Sequence, residues 1–229
     1  MSYPVPAFDA APYRLSGRVY GTLLNHRGAL EALGDAVHQS PYKAPPRAPV
    51  LYIKPRNTLA SSGDAIAVPA DSDELEIGAT LGIVIGRTAC QVNAEDALGH
   101  VAGYVIVNDV SVPHASFYRP QVRCKARDGF CPIGPRVVAR DANADPDALA
   151  VRVEVDGELR QSTSTAGMFR PVARLIADVT EFMTLAPGDV LLLGVGAAAP
   201  RARAGQRVAI DIDGLGRLEN MLVAEGKAA

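Results

Sequence analysis

Short strand-like segments, most of them closed by a turn-forming residue, constrain the fold of this chain more than any other feature. The segment 79–85 is rich in aliphatic residues and stops at Gly86. The segment 149–155 alternates apolar and polar residues and is followed by Asp156-Gly157. Period-two alternation closed by an Asp-Gly pair is typical of strands joined in a hairpin. Further segments of this kind along the chain predict a fold dominated by strands.

Helices are expected to be few. Apolar residues recur at helical spacing over 28–38 and over 169–182, which predicts two short helices. The strand-like segments do not alternate with helices as βαβ units do. The pattern therefore predicts the α+β class, with a large mixed β-roll or β-sandwich and few short helices.

The Pro-rich stretch 43–49 is the strongest candidate for a domain boundary. An apolar, strand-like run follows it at once over 50–53, so we interpret the stretch as a loop within one domain. We predict a single domain over residues 1–229. Its N-terminal strand and short helix region covers 1–48, and its β-rich core covers 49–229.

Composition limits the classes of partner. The 229 residues include 23 Lys+Arg and 25 Asp+Glu, a formal net charge of −2, which leaves no basic excess for nucleic acid or an anionic membrane surface. No segment is apolar for long enough to span a membrane, and residues 1–6 lack the basic start and apolar core of a signal peptide. The three cysteines form no CxxC pair and fit a reducing compartment. These features predict a cytoplasmic protein.

Candidate site residues lie where strand-like segments end. No phosphate loop, dinucleotide fingerprint, nucleophile elbow or HExxH motif is present in the sequence. Asp109 directly follows the apolar run 101–107, where a carboxylate can meet a cation or a substrate; an Asx turn is the alternative interpretation. Lys54 adds a cation at the end of another strand. The histidines show no metal-ligand spacing and fit surface or structural roles: His26, His38, His100 and His114.

A charged segment covers residues 125–135. Lys125, a second cation and Asp128 precede a stiff turn bounded by proline and glycine. This arrangement suits an anionic ligand, and a solvated charge cluster is the alternative. Tyr118 and Arg119 add a phenol and a guanidinium shortly before this segment.

Taken together, these pieces resemble the fumarylacetoacetate hydrolase family across nearly the whole chain. The matching segments are 53–55, 83–86, 103–111, 125–128, 132–135, 156–161, 187–190 and 214–220. Three more segments, 21–27, 39–46 and 116–120, look like one branch of that family. Enzymes of this branch isomerise and decarboxylate intermediates of 4-hydroxyphenylacetate (homoprotocatechuate) breakdown, and the likeness is to their N-terminal half or subunit.

The resemblance implies a β-roll fold, a dimer or pseudo-dimer, and a divalent metal, Mg²⁺ or Mn²⁺. The metal would chelate the 2-oxo or 2-hydroxy end of a di- or tricarboxylic acid and stabilise its enolate. The implied activity is that of a 2-hydroxyhepta-2,4-diene-1,7-dioate isomerase/5-oxopent-3-ene-1,2,5-tricarboxylate decarboxylase, with this chain as one subunit.

The resemblance also implies roles for six residues. It makes Lys125 and Asp128 the catalytic candidates, with Asp128 orienting Lys125 towards a substrate carboxylate. The remaining roles are contact with the metal or water for Asp109 and substrate binding for Lys54, Tyr118 and Arg119.

The chain departs from the family at positions that carry its chemistry. The two glutamates that help to hold the metal align with Gly78 and Thr80, and neither supplies a carboxylate. Glu76 shares their face of the strand but could replace them only if a bulge shifted the strand. The family's acid/base pair aligns with Ala29 and Ala32. We therefore expect the lone chain to bind metal weakly and a related chain to supply the complete site.

Other readings of the function stay open. The chain could be a catalytically silent partner in a heterodimer with a glutamate-bearing paralogue, or could form a homodimer. A C–C hydrolase of acylpyruvates is a further alternative. That chemistry needs a base within reach of the attacking water, and the two alanines supply none.

Overall fold

The computed structural model describes residues 14–118, 121–142 and 145–226. The α-helices are α1 (Arg27–Glu31), α2 (Ala94–Ala97), α3 (Val122–Lys125) and α4 (Val172–Thr180). The strands are β1 (Val19–Leu23), β2 (Val50–Lys54), β3 (Leu59–Ser61), β4 (Ala65–Val68), β5 (Leu75–Glu76), β6 (Ala79–Ile85), β7 (Val101–Asn108), β8 (Cys131–Ala139), β9 (Ala150–Val155), β10 (Glu158–Ser164), β11 (Val190–Leu192), β12 (Arg201–Ala202), β13 (Arg207–Ile212) and β14 (Gly216–Ala224).

Most strands belong to two sheets. The larger sheet has the order β2-β1-β11-β6-β7-β8-β3, and the smaller has the order β10-β9-β13-β14-β4. Strands β12 and β5 form a separate pair. Both large sheets are mixed, because β1–β11, β3–β8 and β14–β4 run parallel while their neighbours run antiparallel. The α+β class with few short helices is confirmed, and no helix among the described residues is long and apolar enough to cross a membrane.

The core explains why β6 and β7 are buried along their whole length. Alternate residues of β7 face opposite sides of the larger sheet. Ile106 belongs to the main cluster, where the two sheets and α4 meet, whereas Val105 and Val107 belong to a second cluster on the other face. Because that second cluster gathers side chains from one face of the larger sheet, including Val84 and Val190, the sheet curls around it.

The predicted helices are shorter in the structure, for local reasons. The segment expected to be helical over 28–38 breaks at Gly34, whose φ of +49° lies in the left-handed region, and continues only as a 3₁₀ turn. The segment expected over 169–182 becomes helical only after Pro171, which caps α4 in an extended conformation. The predicted hairpin at Asp156-Gly157 is confirmed between β9 and β10.

One end of the β6–β7 pair positions the site. Ala79 lies opposite Asn108, and the Asp109 amide donates to the Gly78 carbonyl at 2.8 Å. Glu76 lies opposite Ser111 in the same register, so no bulge interrupts the pairing between these points. Glu76 and Gly78 therefore reach the same face, two residues apart, beside the carboxylate that follows β7.

Candidate active site

Asp109 lies at the centre of a buried ion cluster. Its side chain is 1% exposed, with Lys54 Nζ 2.8 Å from Oδ1 and Lys125 Nζ 2.7 Å from Oδ2. The Tyr52 hydroxyl also donates to Oδ2. The fold thus brings together three residues that the sequence placed at strand ends or in the charged segment.

The two lysines have different surroundings. The fully buried Lys54 ammonium donates its three protons to backbone carbonyls, those of Val110 (2.7 Å), Lys125 (2.8 Å) and Phe130 (2.8 Å). Its contact with Asp109 is therefore an ion pair without a proton directed at the carboxylate. The Lys125 ammonium has Asp109 as its only hydrogen-bond acceptor within the described part of the chain. Two of its protons are left for a ligand.

Charge and burial fix the protonation of the cluster. Burial by itself raises the pKa of the Asp109 carboxyl, but the charges of Lys125 and Lys54 outweigh it and bring the pKa below its ordinary value of 3.8. Burial lowers the pKa of Lys54, and the charge of Asp109 opposes that change. Burial, followed by the charge of Asp109, holds the pKa of the Tyr52 hydroxyl well above 10.0. At neutral pH the cluster therefore has an ionised carboxylate and a protonated phenol.

A cavity of about 340 Å³ opens above the cluster. Its polar wall contains Tyr52, Glu76, Asp109, His114, Lys125 and Arg201. Its apolar lining contains Leu23, Leu24, Ala29, Ala32, Leu33, Val195, Ala197, Ala198 and Ala199. A small anionic molecule with an apolar body matches this division.

Glu76 brings a carboxyl group into the cavity. The side chain is half-buried and has neither an ion pair nor a hydrogen bond with any described residue. Burial raises its pKa, and the charges of Lys125, His114 and Arg201 partly offset that rise. An unpaired carboxyl of this kind in a cavity is typical of a functional group rather than a structural one.

His114 also lines the cavity, although its spacing in the sequence did not single it out. Its Nδ1 lies 3.0 Å from the Val112 carbonyl. Because a carbonyl only accepts, Nδ1 carries a proton in this contact. Nε2 is enclosed and has no hydrogen-bond partner among the described residues. The one signal in the sequence was its position just beyond the segment 108–111.

The cavity does not fit a divalent metal ion. A Cβ atom at Gly78 would lie 2.5 Å from the Asp109 carbonyl oxygen, and the Thr80 hydroxyl donates to the Gly194 carbonyl at 2.9 Å. The described residues contain no group of three or more histidine, cysteine, aspartate or glutamate side chains placed to hold a metal. Asp109 is already neutralised by two ammonium groups. Glu76 stays two residues from Gly78 because the strand has no bulge there.

Asp128 lies away from the cavity. Its carboxylate accepts a hydrogen bond from Asn57 Nδ2 at 2.7 Å, and it lines a separate depression on the surface. The Lys125 ammonium is instead held by Asp109. The resemblance implied that Asp128 orients Lys125. In the structure Asp109 orients it instead.

The three residues expected to bind substrate are not found together in the cavity. Lys54 lies beneath Asp109, with its ammonium saturated by carbonyls, and is fully buried. Tyr118 is 53% exposed and packs edge-on against Tyr42 at 6.1 Å, outside the cavity lining. Arg119 lies outside the described residues.

Restoring the two family glutamates, as Gly78→Glu with Thr80→Glu, is expected not to create a metal site. The new side chain at 78 must displace the Asp109 backbone, which costs roughly 1–3 kcal/mol of stability. Calorimetry with Mn²⁺ should detect no binding. Gly99→Glu is the matched control, because a Cβ atom at Gly99 meets nothing within 4 Å. Binding of Mn²⁺ by the double variant would contradict the conclusion that this cavity does not fit a divalent metal ion.

The curled mixed sheet with few short helices is the fold of the fumarylacetoacetate hydrolase class of enzymes. Residues 18–223 match the family described as fumarylacetoacetate (FAA) hydrolase C-terminal. The chain belongs to this family, as the sequence motifs predicted.

Relatives and solved structures agree with this assignment. The chain is 43% identical over 211 residues to the 4-hydroxyphenylacetate degradation bifunctional isomerase/decarboxylase of Escherichia coli, covering 92% of this chain and 48% of that protein. The chain therefore spans about half the length of this curated relative. The crystal structure of 2-hydroxyhepta-2,4-diene-1,7-dioate isomerase from Mycobacterium marinum is 31% identical, with a TM-score of 0.74 over 93% of this chain and 77% of that chain.

A third similar protein shows that a structure with this fold can hold a metal. Fumarylpyruvate hydrolase from Pseudomonas aeruginosa, solved with Mn²⁺ and pyruvate, has a TM-score of 0.83 and covers 98% of this chain and 99% of that chain. At 24% identity the likeness is one of fold alone. Divalent metal use thus occurs on this fold, whereas the cavity residues of this chain do not suit it.

Proposed function

We propose that this chain is one subunit of a 2-hydroxyhepta-2,4-diene-1,7-dioate isomerase/5-oxopent-3-ene-1,2,5-tricarboxylate decarboxylase of homoprotocatechuate breakdown. The observation that carries the proposal is the Lys125 ammonium, which has two protons unclaimed by the described residues and lines a cavity of about 340 Å³. The 43% identity to an isomerase/decarboxylase of this pathway supports the assignment of the pathway.

The polar wall suits a di- or tricarboxylic 2-oxo or 2-hydroxy acid. Lys125 would hold one carboxylate or the enolate oxygen through charge-assisted hydrogen bonds. Asp109 keeps the ammonium in place from below at 2.7 Å. The Arg201 guanidinium lines the same cavity and would receive a second carboxylate. The cation that offsets the substrate charge is thus a side chain of this protein.

We further propose a heterodimer with a paralogous chain that carries the missing glutamates and holds the Mg²⁺ or Mn²⁺. One observation supports this partner: the misfit of the cavity residues to a metal ion, which leaves that role to another chain. A homodimer is the alternative assembly. We place both chains in the cytoplasm, where substrates of this pathway would be met.

A catalytically silent structural subunit is the second candidate function. The absence of a metal-ligand group from the described residues favours it. Copurification with the second chain, together with a lone chain that binds no oxo-acid analogue, would support it. Acylpyruvate hydrolysis receives less support, since Ala29 and Ala32 leave the apolar lining without a base.

Calorimetry of the purified chain tests the proposal. We expect no Mg²⁺ or Mn²⁺ binding near micromolar concentrations, and binding of oxalate, an oxo-acid analogue, in the presence of EDTA. Lys125→Met should weaken oxalate binding by about tenfold or more, because a hydrogen bond to a charged group is worth roughly 1.5–3 kcal/mol. Arg127→Met removes a cation that lines the other depression and is the control. Tight metal binding, or no heat with oxalate, would overturn the proposal.

A further inference from the structure

The loop between β11 and β12, residues 193–200, brings main chain rather than polar side chains to the cavity. Five of its residues line the cavity and none has a polar side chain: Val195, Gly196, Ala197, Ala198 and Ala199. Ala197 and Ala199 are half-buried and Ala198 is exposed, so a ligand can reach their backbone. What this loop can offer a ligand is therefore its amides and carbonyls.

The amides in the middle of the loop have no acceptor. At the start of the loop, the Gly194 amide donates to the Thr80 hydroxyl at 3.1 Å. At its end, the Pro200 carbonyl accepts from the Ile77 amide at 2.8 Å. Between these anchors, no amide from 195 to 199 donates to any residue that the structure describes. The loop is thus held at both ends, with unclaimed donors in between.

Gln161 sets the direction of two of these amides. Its Nε2 donates to the Ala197 carbonyl at 2.8 Å and to the Ala198 carbonyl at 3.3 Å. The peptide bonds that follow these carbonyls are trans, and in a planar trans peptide the N–H points opposite to the C=O. The amides of Ala198 and Ala199 therefore point away from Gln161. Because the loop lines the cavity and Gln161 does not, these two amides face the cavity.

The backbone at Ala198 has a conformation that suits this arrangement. Its φ of +53° lies in the left-handed region, which a residue with a Cβ atom rarely adopts. Strained backbone of this kind clusters at ligand-binding positions. A left-handed residue in a turn also brings successive N–H groups to one side, where they form an anion-binding concavity.

Neighbouring elements hold the loop on two sides. A Cβ atom at Gly196 would lie 3.3 Å from the Thr163 side chain of β10. A Cβ atom at Gly28, in α1, would lie 3.3 Å from the Ala197 methyl group. The two amides are therefore fixed in place before a ligand binds.

We propose that the Ala198 and Ala199 amides bind the substrate carboxylate that adjoins the 2-oxo or 2-hydroxy carbon, and that Gln161 is the positioning residue of this subsite. The inference rests on the proposed function. Lys125 then holds the neighbouring oxo or enolate oxygen with the protons that Asp109 leaves unclaimed. Backbone amides suit this role, because their hydrogen bonds to a carboxylate are charge-assisted and the amides themselves do not titrate.

The first test is nuclear magnetic resonance of the chain labelled with ¹⁵N-alanine and titrated with oxalate in EDTA. Oxalate places a carboxylate beside further oxygens, as the 2-oxo acid end of the substrate does. The Ala198 and Ala199 amide protons should move downfield, because they gain a charged acceptor. Ala198→Gly and Ala199→Gly identify the two signals by their loss. The Ala70 amide already donates to Glu225 at 2.8 Å and should not move.

The second test is Gln161→Met, which keeps the length of the side chain but donates no hydrogen bond. It should weaken oxalate binding by about tenfold, the effect of losing one hydrogen bond to a charged group. The two amide signals should also no longer shift downfield. Gln91→Met is the matched control, because Gln91 is exposed and lines a different depression of the surface. It should bind oxalate as the wild type does.

Two results would overturn this subsite while the Lys125 site stands. One is a wild-type chain that binds oxalate while the Ala198 and Ala199 signals stay in place. The other is a folded Gln161→Met variant with wild-type affinity. If that variant does not fold, the wild-type signals decide alone. A wild-type chain that does not bind oxalate overturns both the subsite and the proposed function.

Discussion

Replacing Lys54 with methionine is expected to lower the free energy of unfolding by about 3–5 kcal/mol, the usual cost of removing one partner of a buried ion pair. Methionine keeps most of the side-chain volume but removes a donor from three backbone carbonyls. Those of Val110 and Lys125 then lack a donor, while that of Phe130 keeps the Val110 amide at 3.1 Å. Asp109 also loses one of its two counter-charges. Lys54 thus stabilises the cluster from a position that no ligand reaches.

Urea denaturation and the thermal midpoint measure this effect. At 2–4 °C per kcal/mol for a domain of this size, the midpoint should fall by roughly 6–20 °C. Lys125→Met is the matched control. It should cost less, because the ammonium of Lys125 donates to a single acceptor and Asp109 keeps both Lys54 and Tyr52. Equal losses for the two lysines would contradict the division between a structural and a ligand-binding lysine.

Replacing Asp109 with asparagine is expected to cost a similar 3–5 kcal/mol at neutral pH, because two ammonium groups then remain with no buried carboxylate between them. The loss should depend on pH. The folded-state pKa of Asp109 lies below its ordinary 3.8, so on acidification the unfolded chain takes up the proton first. The contribution of Asp109 is therefore complete above about pH 4 and is lost as the pH falls towards the folded-state pKa.

The measurement is the free energy of unfolding of wild type and Asp109→Asn at neutral pH and at several values below pH 4. The difference between the two proteins should shrink in the acid range. Asp141→Asn is the control, since Asp141 is exposed and its lowered pKa comes from its hydrogen bond with Arg140. It should leave stability nearly unchanged. If the free energies of unfolding of wild type and Asp109→Asn differ by the same amount at every pH, the ionised Asp109 does not stabilise the cluster as described.

Local pattern was enough to predict most strands and to single out three members of the cluster, Asp109, Lys125 and Lys54. Apolar runs closed by turn residues placed Asp109 at the end of β7, and the charged segment after it contained Lys125. The saturation of Lys54 could not be predicted, because its three carbonyl partners lie 56 to 76 residues away along the chain. Which of several cations faces a cavity is decided by long-range pairing.

The two unpaired groups show a different limit. Period-two alternation correctly put Glu76 on the face of Gly78, but only the register with Ser111 shows that this face opens into the cavity. Histidine spacing indicates metal ligands and does not single out His114, whose position depends on one backbone carbonyl and the cavity lining. Side chains that line one cavity need no shared spacing in the sequence, since only the fold brings them together.

The unbroken register from Glu76 through β6 also restricts how this gene can change. Removing or adding one codon between 76 and 80 would turn Glu76 towards the core and carry a buried aliphatic neighbour, Leu75 or Ile77, into the cavity. Only length changes in steps of two would keep the carboxyl on its side of the strand. Across descendants of this chain, this stretch should therefore drift in residue type but not in odd numbers of residues.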